Sequence, residues 1–369
     1  MNNSVFTPDR LTWMRKKRGL TKTALAQAVG VDLRSISAYE AGEFPPGNDT
    51  LQLLAKTLTV RENFFYLGDL AGPEAEQVSF RAVSKLSAVK RDMARGSAAI
   101  AFAFCKWLES HFELPMVSIP DLREEGPEQA AVSLRYMWGL AEKPVSNMVH
   151  LLESKGVRVF SLALDISDVD ALCTWRDDIP YVFLNTKKSN ARRRFDAAHE
   201  LGHLVLHRHG EYDGRVTEQE ADEFASAFLM PRAGFIASAP RLPDLKNILA
   251  HKSHWGVSLA AYIVRLHRVG LISDWHYRTL FQQISQRGYR KSEPSDHKQE
   301  LSKLFQMLFL ELKRDGISVH DIAESMGVYA SDLNDLLFNL AIVGVEGSGH
   351  GGGSQDRNPD LRLVIDNTK

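Results

Sequence analysis

His199, Glu200 and His203 have the types and spacing to do chemistry, within the run RRRFDAAHELGHLVLH from Arg192 to His207. On a helix, residues four apart share one face, about 6 Å apart along the axis. Two imidazoles placed this way can grip one Zn2+ through nitrogen bonds of about 2.0–2.1 Å. Glu200 projects beside them and can take a proton from water at such a metal. Gly202 adds weight. An interior helical glycine costs about 1 kcal/mol relative to alanine and usually lets another element approach closely.

A hydrolytic zinc wants a third protein ligand and one open position. His207 continues the four-residue series but sits about 12 Å along a straight helix from His199, too far to share the ion. His209 would serve in the longer H-E-x-x-H-x-x-G-x-x-H arrangement, but that needs glycine where this chain has Leu206. The next segment, EQEADEFASAFLMP, puts Glu218 and Asp222 on one helical face. Glu218 is the expected third ligand, and Asp222 the expected acceptor of a ligand histidine's other ring N–H. Glu220 points about 160° away from that pair and is the weaker candidate. The plain reading of this acidic cluster is a solvated face above a buried stripe of Ala221, Phe224, Ala225 and Phe228. His207, His209 and Tyr212 are the nearest groups that could polarise an oxyanion, although packing is the commoner role for such residues.

Other elements must position these groups. After Gly156, VRVFSLAL alternates like a strand, and DALCTWRDD and PYVFLN read as two more. Tyr181–Asn185 is expected at a sheet edge, where an extended peptide could add as a further strand. The metal-site helix is expected from near Ala191, and the acidic helix from about Thr217 to Leu229, stopped by Pro231. Helices are also expected over 81–113, 127–155, 244–289 and 297–341. The fold class is therefore α+β and mostly helical.

Residues 1–70 read as five short helices. Thr7 and Pro8 open the first, Thr21 caps the second, and Asp32 caps the third. Gly30 permits the sharp turn between the second and third, with Ala24, Leu25, Ala28 and Ile36 facing inward. As a helix-turn-helix, this module would set its third helix in a DNA major groove, offering Leu33, Arg34, Ser37 and Ala38. Arg34 could bond guanine twice, and Lys22 would lie by a phosphate. The net charge is −1, so DNA must be held by a local patch. Arg10, Arg15, Lys16, Lys17, Arg18 and Lys22 form the candidate patch, unless they are an ordinary solvated face.

Near the C-terminus, SVHDIAESMGVYASDLNDLLF repeats the A-x-x-x-G-V spacing. Its outer helix would offer Tyr329, Ser331 and Asp332, so packing or dimerisation is expected there rather than DNA. The two cysteines, Cys105 and Cys173, are expected to be buried thiols in a reducing compartment. No signal-like leader and no apolar run of the roughly 18–20 residues that span a bilayer is seen. A cytoplasmic protein without membrane contact is expected.

Residues 8–68 resemble the XRE-type, phage-repressor-like helix-turn-helix family through L-A-x-x-x-G-V, I-S-x-x-E-x-G and L-x-x-L-A. The chain departs from many members at Lys22, where they carry a glutamine that helps position the DNA. Residues 192–231 resemble the ImmA/IrrE metallo-endopeptidases through R-x-F-x-x-A-H-E-L-G-H-L-x-L-H and E-x-E-A-D-x-F-A-x-x-F-L-M-P. With its flanks, that likeness covers roughly 80–290. It implies a zincin-like domain of gluzincin type, with zinc on His199, His203 and Glu218 and with Glu200 as general base. It also implies cleavage of a helix-turn-helix repressor or antitoxin, relieving repression under stress or on mobile-element induction. The expected plan is a DNA-binding domain at 1–70, a linker at 71–80, the peptidase at 81–290, a helical unit at 297–343 and a flexible tail at 344–369. Expected partners are double-stranded DNA, a protein substrate and a second copy of the chain. The competing expectation is a DNA-binding regulator whose peptidase-like domain senses a ligand or metal without cutting.

Overall fold

The computed structural model describes residues 5–73, 78–80, 87–162, 169–208, 214–290, 292–294, 297–337, 340–341 and 362–363. His209 and Tyr212 lie outside them, as do residues 74–77 of the expected linker and most of the expected tail. The N-terminal module comprises α1 (Pro8–Lys17), α2 (Lys22–Val29), α3 (Leu33–Ala41), α4 (Asn48–Leu58) and a 3-10 turn at Glu62–Tyr66. Thr21 accepts the Ala24 N–H and Asp32 accepts the Ser35 N–H, so both residues cap their helices. Thr7 precedes α1 without capping it. Its hydroxyl instead donates to the Leu67 carbonyl at 2.8 Å, tying the ends of the module together.

The central part follows in chain order as β1 (Val78–Phe80), α5 (Ala88–Glu109), β2 (Phe112–Glu113), α6 (Pro127–Met137), α7 (Met148–Ser154) and β3 (Arg158–Ser161). Next come β4 (Ala171–Arg176), β5 (Ile179–Leu184), α8 (Asn190–Leu206), α9 (Val216–Leu229) and α10 (Arg232–Ser238). Then come α11 (Leu245–Trp255), α12 (Leu259–Arg268) and α13 (Asp274–Gln286). The C-terminal unit is α14 (Lys303–Arg314), α15 (Val319–Ser325) and α16 (Ala330–Leu337), and a last strand, β6 (Arg362–Leu363), pairs with β2. The fold is mostly helical α+β. The helix expected over 127–155 is two, α6 and α7. Gly139 takes φ +68° and Pro144 follows, and neither continues a helix.

The main sheet has the order β1-β4-β5-β3. β3 and β5 run parallel, and the other pairings are antiparallel. This corrects the expected edge position of Tyr181–Asn185. β5 lies between β3 and β4, so its backbone donors and acceptors are directed to neighbours on both sides. The outer side of β4 is taken by β1, with Ser79 opposite Cys173.

Two cores divide the molecule. One joins the N-terminal module to α5, one face of the sheet and α14–α16, through residues such as Leu11, Phe65, Phe104, Phe160, Phe305 and Leu333. The other joins the opposite face of the sheet to α6–α9 and α11–α13, through Val182, Leu201, Phe228 and Tyr262. Cys105 lies in the first core and Cys173 in the second, both as buried thiols. Helices α1 and α5 meet almost backbone to backbone. A Cβ on Gly96 would fall 2.5 Å from the Lys17 nitrogen, so only glycine allows this seat.

Candidate metal centre and DNA-facing helix

Helix α8 is buried on nearly all sides, with β4 and β5 on one flank and α9 on another. Such a helix keeps water from most of the groups it carries, so its buried polar side chains must find partners inside. Gly202 sets the distance to α9. A Cβ there would come within 3.1 Å of the Phe224 ring and 3.2 Å of the Ala221 Cα. That close crossing brings the first turns of α9, with Glu218 and Asp222, alongside the α8 histidines.

The Nε2 atoms of His199 and His203 face each other at 3.1 Å. Glu218 reaches both, with oxygens 3.4 Å from His199 Nε2 and 3.3 Å from His203 Nε2. Three ligand atoms, two of them fully buried, thus converge on one point. Bonds of about 2.0–2.1 Å to a tetrahedral centre would hold such donors roughly 3.3–3.4 Å apart, so the set fits a zinc ion. Electrostatics agree. Burial holds the His203 imidazole down at about 4, neutral, with a lone pair to offer. Burial pushes the Glu218 carboxyl up, but its contacts with His199 and His203 outweigh this and bring it down to about 2.

Each histidine has a partner for its second nitrogen. His199 Nδ1 lies 2.9 Å from an Asp222 carboxylate oxygen. His203 Nδ1 lies 3.0 Å from His207 Nδ1, and His207 Nε2 lies 2.8 Å from a Glu220 oxygen. The sequence reading missed this second chain. Glu220 is turned away from Glu218 and Asp222, and it is turned onto His207. The signal lay in the four-residue step from His203 to His207, which keeps the two on one face although only one can reach the cluster.

Glu200 is buried beside the cluster. Cys173, buried on β4 in the core that packs against α8, lies within range of the Glu200 charge. Burial first, and then the charges of Glu200 and Glu218, hold that thiol protonated. Sequence reasoning treated Cys173 only as a core thiol. Its alternation with Ala171 along β4 was the available sign that it faces the metal-site helix.

The N-terminal module presents a different picture. On α3, Leu33 and Arg34 are exposed and Ser37 is half-buried, but Ala38 is 5% exposed and belongs to the core. The basic cluster is largely spent inside the molecule. Arg15 donates twice to Glu40, at 2.5 and 3.0 Å. Lys16 lies 3.5 Å from Asp92 on α5. Lys17 and Arg18 both grip Asp332 on α16, at 2.5 and 2.7 Å. Arg10 donates to the Gly68 carbonyl at 2.7 Å. Lys22 lies 3.4 Å from Glu40 with its side chain 41% exposed, and Arg34 stands on the outer face of α3. The DNA-facing residues named from sequence, Lys22, Arg34 and Ser37, thus share the α2–α3 surface, while the α1 cations serve as internal ties.

Two segments match known families. Residues 11–65 match the helix-turn-helix family, and residues 152–267 match a peptidase family described as the IrrE N-terminal-like domain. No curated protein matches the chain. Among the described residues, no helix is long and apolar enough to cross a membrane.

Proposed function

Starting from a helix-turn-helix DNA-binding module fused to a peptidase-family domain, we propose that the chain is a zinc-dependent endopeptidase that works in the cytoplasm while tethered to DNA. The single observation that carries the reading is the convergence of His199, His203 and Glu218 at 3.1–3.4 Å beside a buried Glu200. The two Nε2 atoms and the Glu218 carboxylate would hold the metal. Asp222 fixes His199 with its proton on Nδ1, leaving Nε2 to bind. Bound zinc supplies Lewis acidity, polarising an amide carbonyl and acidifying water. Glu200 takes the proton of the attacking water on its carboxylate and returns it to the leaving amine. The substrate we propose is a helix-turn-helix repressor or antitoxin, whose loss relieves repression under stress or on mobile-element induction. The DNA-binding module, paired with that of a second copy on two half-sites, would bring the peptidase to the operator.

One observation favours a second reading, a regulator that senses a metal or ligand without cutting. His199, Glu200 and His203 are each at most 1% exposed, and of the three converging residues only Glu218 reaches solvent, its side chain 27% exposed. Zinc content separates the metal centre from a relic. Elemental analysis of the purified chain is expected to give near one zinc per chain, collapsing in Glu218→Ala. A folded wild type that stays zinc-free after repletion removes the peptidase reading. Full zinc in both proteins means that Glu218 is not the third ligand.

A further inference from the structure

We propose that His207 and Glu220 are positioning residues for the metal centre, a carboxylate–imidazole relay that holds His203 as a ligand. The inference rests on the metal-centre reading above and adds a second support to it, independent of Asp222. The argument is one of proton placement. If His203 offers Nε2 to a metal, its remaining proton is on Nδ1, and that N–H must donate. The atom it meets at 3.0 Å is His207 Nδ1. That nitrogen must accept, so His207 carries its own proton on Nε2. This Nε2–H then donates to the Glu220 oxygen at 2.8 Å. With both rings neutral, only one tautomer of each satisfies both contacts, and it is the one that leaves His203 Nε2 open. A His207 proton on Nδ1 would face another N–H. The relay thus selects the binding form of His203 before any metal arrives.

The local fold holds the relay in place. His207 is the residue that ends α8, and its backbone N–H donates to the His203 carbonyl at 3.0 Å, so the two rings are fixed one turn apart. The His207 side chain is 10% exposed and that of Glu220 is 41% exposed, so the carboxylate sits at the rim with its charge solvated while the rings are screened. Glu220 and Asp222 leave α9 on different sides of Glu218. One helix therefore supplies a direct ligand and a support for each ligand histidine.

The test is zinc affinity, measured by competition with a chromophoric chelator on the full chain. Supports of this kind are worth about 10–100-fold in metal affinity. Glu220→Ala and His207→Phe are each expected to weaken zinc binding by that factor, and the double variant by no more than the stronger single one, since the two act in series. Glu220→Gln keeps an oxygen for the His207 N–H and is expected to stay within about threefold of wild type. Thermal melting of the zinc-free proteins should be alike, separating ligand orientation from folding. His207→Phe retains ring bulk and serves if Glu220→Ala folds poorly. The proposal is overturned if both variants bind zinc as wild type does, or if Glu220→Gln is as weak as Glu220→Ala. A folded wild type that binds no zinc overturns the metal-centre reading itself, and the relay with it.

Discussion

Helices α1 and α8 both carry dense charge, and they use it in opposite ways. On α8, His199 and His203 turn toward one interior point, where α9 meets them with carboxylates. On α1, the cations disperse to Glu40, Asp92 and Asp332, which come from three other helices. The spacing of a metal motif already states a geometry, because residues four apart on a helix must share a face. A count of cations states none. A run of arginine and lysine serves equally as a DNA surface or as anchors for neighbouring helices, and only the fold decides.

This contrast can be broken experimentally, beginning with the largest effect. In the zinc-loaded protein, Glu200→Gln is expected to lower cleavage of a repressor substrate by about 10²–10⁴-fold while zinc content is unchanged. Cleavage at the wild-type rate would remove Glu200 from the chemistry. Asp332→Ala should cost about 3–5 kcal/mol in urea unfolding, because Lys17 is left buried without its partner. If α1 instead served DNA, the same change would strengthen DNA binding and leave stability nearly unaltered. Arg34→Ala is expected to cost about 1–3 kcal/mol of operator affinity and to relax preference at one base position. Lys17→Met, by contrast, should leave affinity per folded molecule where it was. A binding titration of the two variants ranks α3 against α1 directly.

The smallest effect concerns the seam between the two cores, where Glu153 on α7 accepts the Leu304 N–H at the start of α14. Burial raises its carboxyl from 4.5 to about 7. A raised acid stabilises the fold fully below the unfolded value of 4.5 and loses that contribution as pH rises through 7. Glu153→Gln keeps an acceptor and cannot ionise. It should therefore be more stable than wild type at pH 8 by about 1–3 kcal/mol and equal to it near pH 4.5. Equal stability at both pH values would mean that the seam does not feel this charge.

Much was legible in the sequence wherever local rules govern. Thr21 and Asp32 cap their helices as their types suggest. The start of α8 and both ends of α9 fall within about a residue of where apolar periodicity and Pro231 put them. Asp332 seemed an exposed member of an outer helix, yet it is 1% exposed, because α16 turns that end against α1. The inner place of β5 depends on which strands flank it, and no single strand encodes its neighbours. The His207–Glu220 contact required knowing that α9 crosses α8 closely at Gly202, and a glycine announces such an approach without naming the partner. Ala38, expected on the outer face of α3, is 5% exposed.

The tie between Arg18 and Asp332 spans 314 positions of chain. At a synthesis rate of about 5–20 residues per second, roughly 15–60 s pass between the emergence of its two ends. Throughout that interval, the α1 cations that the finished protein keeps inside have no carboxylate from α16 to meet. The nascent N-terminal module is therefore more positive than the mature one and lacks one wall of its core. Its final seating awaits α16. A chain cut short before α16 would release a module with a different surface charge from the one the complete protein carries.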